Sequence, residues 1–440
     1  MSTGDSSQST TAEINVPDFL NESFLQRILD EHLKDENQHP VRIDRINVQL
    51  ATKPGDNYSS DVFSVVVHYN DTQKIHFVVK VVLAGAVMKN FCDTIGAFVK
   101  EVNTFERLLP AFSRIVSGTD DAAGKIKFGA HCYYATRDPM DTIVFEDLKA
   151  LGYRMADRTR GGLDLAHCEL IMRKIGLFHA ASMVYVAAAE STERQLFLER
   201  YRHGMAQPGD DERTNPGLAM FKKGLEKFLE VAKHWPELKR SIWWKLETLQ
   251  SDYARRVARS ISPPGPEEQV AYRVLNHGDL WGNNMMFRYD DPADDASVRE
   301  VTFVDYQLSS YGSAGHDLVY SLYNCPQFEV RETRINDLLE VYHRSLCEGL
   351  RAGDYQQQPL PSFTDVQKEY ERHEFIGVVS GLSMLPIILM EHTDDVKLTF
   401  ENLIDAEHAE KIRDIQYNGQ LYRKSVVPIL ERLDAKGLLD

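Results

Sequence analysis

Basic residues are in short supply: Lys and Arg number 50 against 66 Asp and Glu in 440 residues, a formal charge of -16. A general nucleic-acid binder needs a basic surface for phosphates, so this balance excludes that class of partner. Cysteine is sparse too. Cys92, Cys132, Cys168, Cys325 and Cys347 are scattered, odd in number and without CxxC spacing. They predict free thiols in a reducing compartment, neither a disulfide frame nor a zinc site. No uninterrupted apolar run approaches the roughly 18 residues of a membrane span. The start, MSTGDSSQSTTAEINV, lacks the basic-then-apolar order of a secretory leader, and Ser2 stands where N-myristoylation needs glycine. The expectation is a cytoplasmic protein without a membrane span or nucleic-acid partner; nothing in the sequence indicates its oligomeric state.

What is present suffices for two joined cores, since 43% of the residues are hydrophobic. Residues 1–15 read as a disordered Ser/Thr-rich tail. DFLNESFLQRILDEHL has helical spacing, with Phe19, Phe24, Ile28 and Leu33 near one face. Three strand-like runs follow, RIDRINVQLA, DVFSVVVHYN and KIHFVVKVVLAG, the last two joined as a hairpin by NDTQ. In TIGAFVKEVNTFERLLPAF the period changes: Phe98, Val102, Phe105 and Leu109 predict an amphipathic helix ending at Pro110. CYYATRDPMDTIVFEDL is one further strand candidate, and a mostly helical half follows, clearest in LDLAHCELIMRKIGLFHAASMVY. The fold class is therefore α+β in two lobes: a small antiparallel-sheet N-lobe over 16–147 and a larger, mainly helical C-lobe over 148–440. Ligands favour such interfaces.

In VLNHGDLWGNNMMF an apolar run is interrupted by His277, Asp279, Asn283 and Asn284 and then resumes. MMFRY and VREVTFVDY read as a hairpin whose turn is centred near Asp294 and Asp295. That register sets Met285 opposite Val304 and Asn284 opposite Asp305. An amide and a carboxylate would then sit side by side at the open end, with Asp279 on the loop before it. Magnesium in nucleotide chemistry takes one or two carboxylates plus substrate phosphates. Asn284 and Asp305 suit that cation, and Asp279 suits the hydroxyl that attacks a phosphate.

HGDLWGNNMMF followed by VDYQ resembles the catalytic loop and metal segment of kinases with the choline/aminoglycoside phosphotransferase fold, which is protein-kinase-like. More specifically it resembles the ecdysteroid-kinase-like, or CHK-kinase-like, family. KPGDNYSSDVFSV, FVVKVV, FVKEVNTFERLLP, VFEDL, GLFHAAS and GHDLVYSLY match that family's pattern in order, over most of the chain. The resemblance implies ATP and Mg2+ as cofactors, Asp279 as catalytic base, and Asn284 and Asp305 as metal ligands. It implies that Lys80 grips nucleotide phosphates with Glu101 as its helix partner, and that Glu146, Asp147 and Leu148 form the adenine hinge. Spacing alone leaves Glu101 and Glu106 open, since both border the apolar stripe; the resemblance favours Glu101. The phosphate loop departs from GxGxxG, having only Gly55, so backbone amides of Asn57 to Ser60 and the Ser59 and Ser60 hydroxyls are its expected donors.

Several residues have plainer readings. His277 is expected to be structural, Trp281 a packing anchor, His179 a satisfied core histidine and Asp317 a helix cap. DDPADDAS lacks calcium-loop spacing and reads as a solvated turn.

The functional expectation is an ATP- and magnesium-dependent phosphotransferase acting on a small-molecule hydroxyl. The resemblance implies ecdysteroid-like steroid alcohols or hydroxylated xenobiotics as acceptors, and choline- or ethanolamine-type amino alcohols in more distant relatives. A metal-dependent phosphohydrolase would have no use for Lys80, Glu101 or the hinge. A catalytically silent nucleotide- or ligand-binding relative would not need Lys80, Asp279, Asn284 and Asp305 together. The stretch from Asp305 to Asp317 is too short for a protein kinase's long activation loop. Tyr311, Tyr320 and Tyr323 are unranked candidates for the acceptor pocket.

Overall fold

The computed structural model describes residues 16–33, 41–51, 60–82, 86–117, 126–157, 161–265, 267–390 and 406–440. The tail expected over 1–15, and Gly55, Asn57 and Ser59 of the expected phosphate loop, lie outside the described residues. The chain divides into two compact units. One comprises Met1–Lys53, Ser59–Leu83 and Cys132–Asp147; the other comprises Pro54–Tyr58, Ala84–His131 and Leu148–Asp440.

Among its described residues the first unit is one helix on one antiparallel sheet. α1 (Glu22–His32) starts where the Asn21 side chain accepts from the Phe24 N–H, a cap that replaces a missing intrahelical partner. The strands β1 (Ile43–Leu50), β2 (Asp61–Tyr69), β3 (Gln73–Val81), β4 (Cys132–Thr136) and β5 (Thr142–Glu146) lie in the order β1-β2-β3-β5-β4. The β2–β3 turn carries Asn70 and Asp71 at φ 48° and 66°, a left-handed conformation that short polar side chains tolerate. Alternation sends Phe63, Val65 and Val67 inward with Phe77 and Val79, against Phe24, Leu25, Ile28 and Leu29 of α1. Each such buried side chain stabilises the unit by roughly 1.5–3 kcal/mol. The segment expected as one strand, CYYATRDPMDTIVFEDL, is instead a hairpin of β4 and β5. Pro139 has no N–H to continue a ladder, and an Arg137–Asp141 ion pair at 3.0 Å closes the turn.

In the second unit, α2 (Ala86–Thr94) precedes a helix that does not end at Pro110. It runs as α3 (Ala97–Asn103), a π turn (Thr104–Leu108) and α4 (Leu109–Ile115). Pro110 would clash with the carbonyl one α turn back. The chain widens there, with the Leu109 N–H reaching Thr104 O, and the Tyr201 hydroxyl donates to Lys100 O at 3.2 Å. Burial follows Ala97, Glu101, Thr104, Phe105, Leu108, Leu109 and Phe112; Phe98 and Val102 are only partly buried.

α5 (Leu165–Ala188) is capped by Asp164 and packs along α12 (Ile335–Ala352). A Cβ at Gly176 would lie 2.8 Å from Tyr342 O, so this crossing requires glycine. Among the described residues α5 alone is long and apolar enough to cross a membrane, but 78% of its apolar window is buried inside the protein, as in a core helix. α6 (Ser191–Arg200), α7 (Pro216–Ala232), α8 (Arg240–Leu249) and α9 (Tyr253–Ile261) follow. Two short antiparallel pairs then carry the loop of interest: β6 (Arg273–Asn276) with β9 (Ser310–Ser313), and β7 (Met285–Tyr289) with β8 (Val298–Phe303). α10 (Gly315–Asn324), α11 (Phe328–Thr333), α12 and α13 (Phe363–Arg372) complete its surroundings. All five cysteines are free thiols.

Candidate active site

β6 delivers the chain to His277, and β7 takes it away after Asn284. Met285 pairs with Phe303, one residue from the expected register. At the turn end Tyr289 pairs with Val298, two residues from the expected register, and an irregularity at Arg288/Tyr289, where β8 carries an extra residue, recovers one of the two. The Val304 N–H therefore donates to Asn284 O at 3.0 Å, and Asp305 follows one residue beyond instead of directly opposite. Asp305 has φ 65°. This conformation is uncommon for a side chain with a Cβ and is often found at functional sites.

The loop is held by its own backbone. His277 is fully buried; it accepts the Asp279 N–H at Nδ1 (3.3 Å) and uses Nε2 on Val304 O (3.1 Å). Burial keeps this imidazole below its ordinary pKa, so it is a neutral strut, as expected. Gly278 has φ 87°, and a Cβ there would lie 2.2 Å from Leu308 O, so only glycine fits.

Asp317 is not the simple cap that its place in the first turn of α10 suggests. Its carboxylate reaches back to the loop and accepts the His277 N–H at 2.6 Å and the Gly278 N–H at 2.9 Å. His179 Nε2 lies 3.2 Å from the same carboxylate, while His179 Nδ1 meets the Tyr342 hydroxyl at 2.9 Å. Burial by itself would raise the Asp317 pKa; the hydrogen bond with His179 and the His316 imidazole 3.7 Å away outweigh it and hold the group ionised well below the usual carboxylate range. His179 is thus the satisfied core histidine expected, with the added task of bracing Asp317.

Asp279 is the one acid of this loop, between His277 and Asn284. The Tyr320 hydroxyl donates to its Oδ1 at 2.9 Å, and Asn284 Nδ2 donates to its Oδ2 at 2.8 Å. Burial and then the negative charge of Asp305 push the Asp279 pKa up to about 6, while hydrogen bonds from Tyr320, Asn284 and Trp281 act in the opposite direction. Because Asn284 uses its amide N–H groups on Asp279, its Oδ1 is left as an oxygen donor, on a residue whose backbone O accepts from the neighbour of Asp305. One amide oxygen and one carboxylate make a hard donor set that fits a magnesium ion completing its shell with water and phosphate. Among the described residues no three His, Cys, Asp or Glu side chains gather into a metal cage.

Behind this loop, Tyr306 is fully buried, with its ring 4.6 Å from His277, 5.3 Å from Phe105 and 5.6 Å from Phe178. This aromatic stack joins the loop to the helix that carries Glu101. Glu101 is buried at 3% exposure, whereas Glu106 faces solvent. The inserted residue of the π turn changes the phase between them. Lys100 is buried as well; its ammonium donates to His203 O, and burial lowers its pKa to about 7.

The remaining sequence-predicted residues lie on or beside the first unit. Lys80 sits in the middle strand β3, between Val62 and Ile143, at 7% exposure. Glu146 ends β5, the Asp147 N–H donates to His76 O, and Leu148 opens the second unit. Ser60 precedes β2 and is partly buried.

The model of the ecdysteroid kinase-like family matches residues 54–355. The chain belongs to that family. It is a phosphotransferase of the small-molecule, kinase-like class, acting on a hydroxyl. No relative is found among curated proteins. Among solved structures the chain is similar to the apoenzyme of macrolide 2′-phosphotransferase MphH from Brachybacterium faecium, at 12% identity and TM-score 0.37, covering 89% of this chain and 99% of that one.

Of the three tyrosines considered for the acceptor pocket, only Tyr320 reaches Asp279. The Tyr323 hydroxyl is turned to buried Glu374 at 3.1 Å, and the Tyr311 ring packs on Phe197. Sequence reasoning missed the Asp317 clamp. Its only signal is an acid in the first turn of a helix, which a cap explains equally well. A cavity of about 220 Å³ among α11, α12 and α13 contains none of the loop residues.

Proposed function

We propose that this protein is an ATP- and magnesium-dependent kinase that moves the γ-phosphoryl group of ATP to a hydroxyl of a small acceptor. The acceptor class favoured by the family is an ecdysteroid-like steroid alcohol or a hydroxylated xenobiotic. The observation that carries this reading is the geometry of Asp279, whose two oxygens are oriented by Tyr320 and Asn284 beside Asp305.

In the proposed reaction the acceptor oxygen attacks the γ-phosphorus as the bridging P–O bond to ADP breaks, and ADP leaves with that electron pair. The acceptor's proton passes to Asp279, whose raised pKa brings it near the range suited to a base at neutral pH. Asn284 and Asp305 would hold the magnesium, which when bound offsets phosphate charge. Lys80 would grip nucleotide phosphates, with Glu101 as its partner. Glu146, Asp147 and Leu148 would meet adenine, and Ser60, together with Asn57 and Ser59, would line the phosphate loop. Positioning and charge neutralisation supply most of the rate in such transfers. Free cysteines suit a reducing compartment, and we place the enzyme in the cytoplasm on that ground.

The test is phosphoryl transfer followed by mass gain on an added alcohol, with and without magnesium. Transfer that needs both ATP and magnesium supports the reading; ATP hydrolysis indifferent to any alcohol overturns it. In the same assay Lys80→Ala should raise the KM for ATP at least about tenfold while moving the acceptor KM little. Unchanged ATP use in that variant removes Lys80 from the phosphate grip.

A further inference from the structure

The cavity of about 220 Å³ lies within the second unit, walled by α11, α12, α13 and the C-terminal helix (Gln420–Ala435). Its volume is many times the roughly 10–15 Å³ that one water needs. Six charged residues line it, three of each sign: Arg331, Arg432 and Lys436 against Glu332, Glu371 and Glu374. Two pairs are made, Arg432 Nη1 with Glu332 Oε2 at 2.9 Å and Lys436 with Glu374 Oε2 at 2.5 Å. Glu371 is exposed at the rim. Arg331 is left over. It is 2% exposed, and its Nη1 donates to the backbone oxygens of Tyr323 and Pro326, at 3.1 and 3.2 Å. Burial, the largest influence on this guanidinium, lowers its pKa to about 10 despite the charge of Glu332. Its Nε has no acceptor, nor do Nε and Nη2 of Arg432, and Glu332 Oε1 has no donor. Buried polar atoms are ordinarily satisfied, and a buried charge is costly without a counter-charge.

We propose that this cavity binds a small zwitterion of the amino-acid type, with a carboxylate and an ammonium on a short aliphatic body. Arg331 and Arg432 meet the carboxylate, and Glu332 meets the ammonium. The atoms that lack partners decide the class. Nε and Nη2 lie on one edge of the Arg432 guanidinium, and two parallel N–H donors form the fork that a carboxylate takes bidentately. Arg331 Nε adds a third donor, with the buried positive charge that a carboxylate offsets. Glu332 Oε1 only accepts, so the ligand must also donate nearby. An ammonium does this and restores the charge balance, because a wall of three cations and three anions stays neutral with a ligand of no net charge. A hydroxy acid would leave one negative charge in excess, and a phosphate monoester about two, beside Glu332, Glu371 and Glu374. A simple amine would leave the guanidinium N–H groups unanswered. Thr333, Asn336, Gln367 and Tyr370 can each donate or accept and favour neither sign. Ile335 and Leu339, one turn apart on α12, give the aliphatic body an apolar strip. The site shares α10 with the catalytic loop, since Arg331 holds the end of the helix whose Tyr320 touches Asp279.

The experiment is thermal unfolding and calorimetric titration of the full chain. The probes are alanine, valine and leucine; the controls are lactate, propylamine and inorganic phosphate. At least one of the three amino acids should raise Tm by about 2 °C or more near saturation. The same amino acid should slow amide exchange in α11 and the first half of α12, and each control should shift Tm less than half as far. Arg432→Lys keeps the charge but loses the fork, and should weaken that amino acid's Kd at least about tenfold. Glu332→Gln should do the same by removing the ammonium's counter-charge, and serves as the test if Arg432→Lys does not fold. No shift with any of the three amino acids marks the cavity as holding water only and overturns the proposal. So does a shift that a control matches, that leaves exchange in α11 and α12 unchanged, or that survives in both variants. None of these measurements involves phosphoryl transfer, so their failure is distinct from failure of the kinase reading.

Discussion

Asp279→Asn is expected to lower phosphoryl transfer by at least about a hundredfold, the usual contribution of a positioned general base, while the fold stays intact or gains stability. The physical reasons for both halves lie in the same contacts. The substituted side chain keeps an oxygen for the Asn284 amide, and its new NH2 group can face the Tyr320 hydroxyl, which rotates to accept. The native carboxylate is held at a cost from burial and from Asp305, and the amide removes that cost. Turnover and chemical denaturation measured on one preparation check the prediction. Near-normal turnover would take the base role from Asp279; a lower unfolding midpoint would show that its charge is structural.

Asp317→Ala should be the most destabilising single change near the loop. It leaves the His277 and Gly278 N–H groups and His179 Nε2 without their acceptor inside a fully buried site. With roughly 1–3 kcal/mol for each buried donor left unsatisfied, the loss should amount to several kcal/mol. Turnover should fall with it, because the two released N–H groups belong to the residues immediately before Asp279. Asp317→Asn should be milder, since its amide oxygen still accepts one of the three donors. Denaturation curves for the pair, set beside kcat, test this. Equal stability of Asp317→Ala and the parent chain would show that the clamp does not hold the loop.

The make-up of the loop was legible because it depends on residue types in order. An acid, an amide and a second acid after two strand-like runs allow few arrangements, and the structure brings Asp279, Asn284 and Asp305 together in one unit. The pairing of Asn284 with Asp305 was displaced by one residue, since hydrophobic alternation fixes neither where a hairpin turns nor where its ladder slips. Glu101 and Glu106 were equivalent by helical spacing; only the π turn, which relieves the clash at Pro110, separated the buried acid from the exposed one. Asp317 looked like a cap because a helix's first turn welcomes an acid whatever its side chain touches. Tyr311, Tyr320 and Tyr323 carry the same side chain, and the packing of α10 against the loop chose among them.

Composition, alternation and the ordered motifs determined by themselves the α+β class, the sheet-then-helix order and the few side chains proposed to handle a phosphate and a cation. These follow from local preferences and from which atoms can donate, accept or ionise. Tertiary structure alone decided the left-handed backbone at Asp305, the carboxylate that grips the loop from α10, and the buried Arg331 guanidinium that holds the end of that helix. Each depends on the direction of a side chain or backbone group relative to a distant segment, and that direction is set only when the two segments pack.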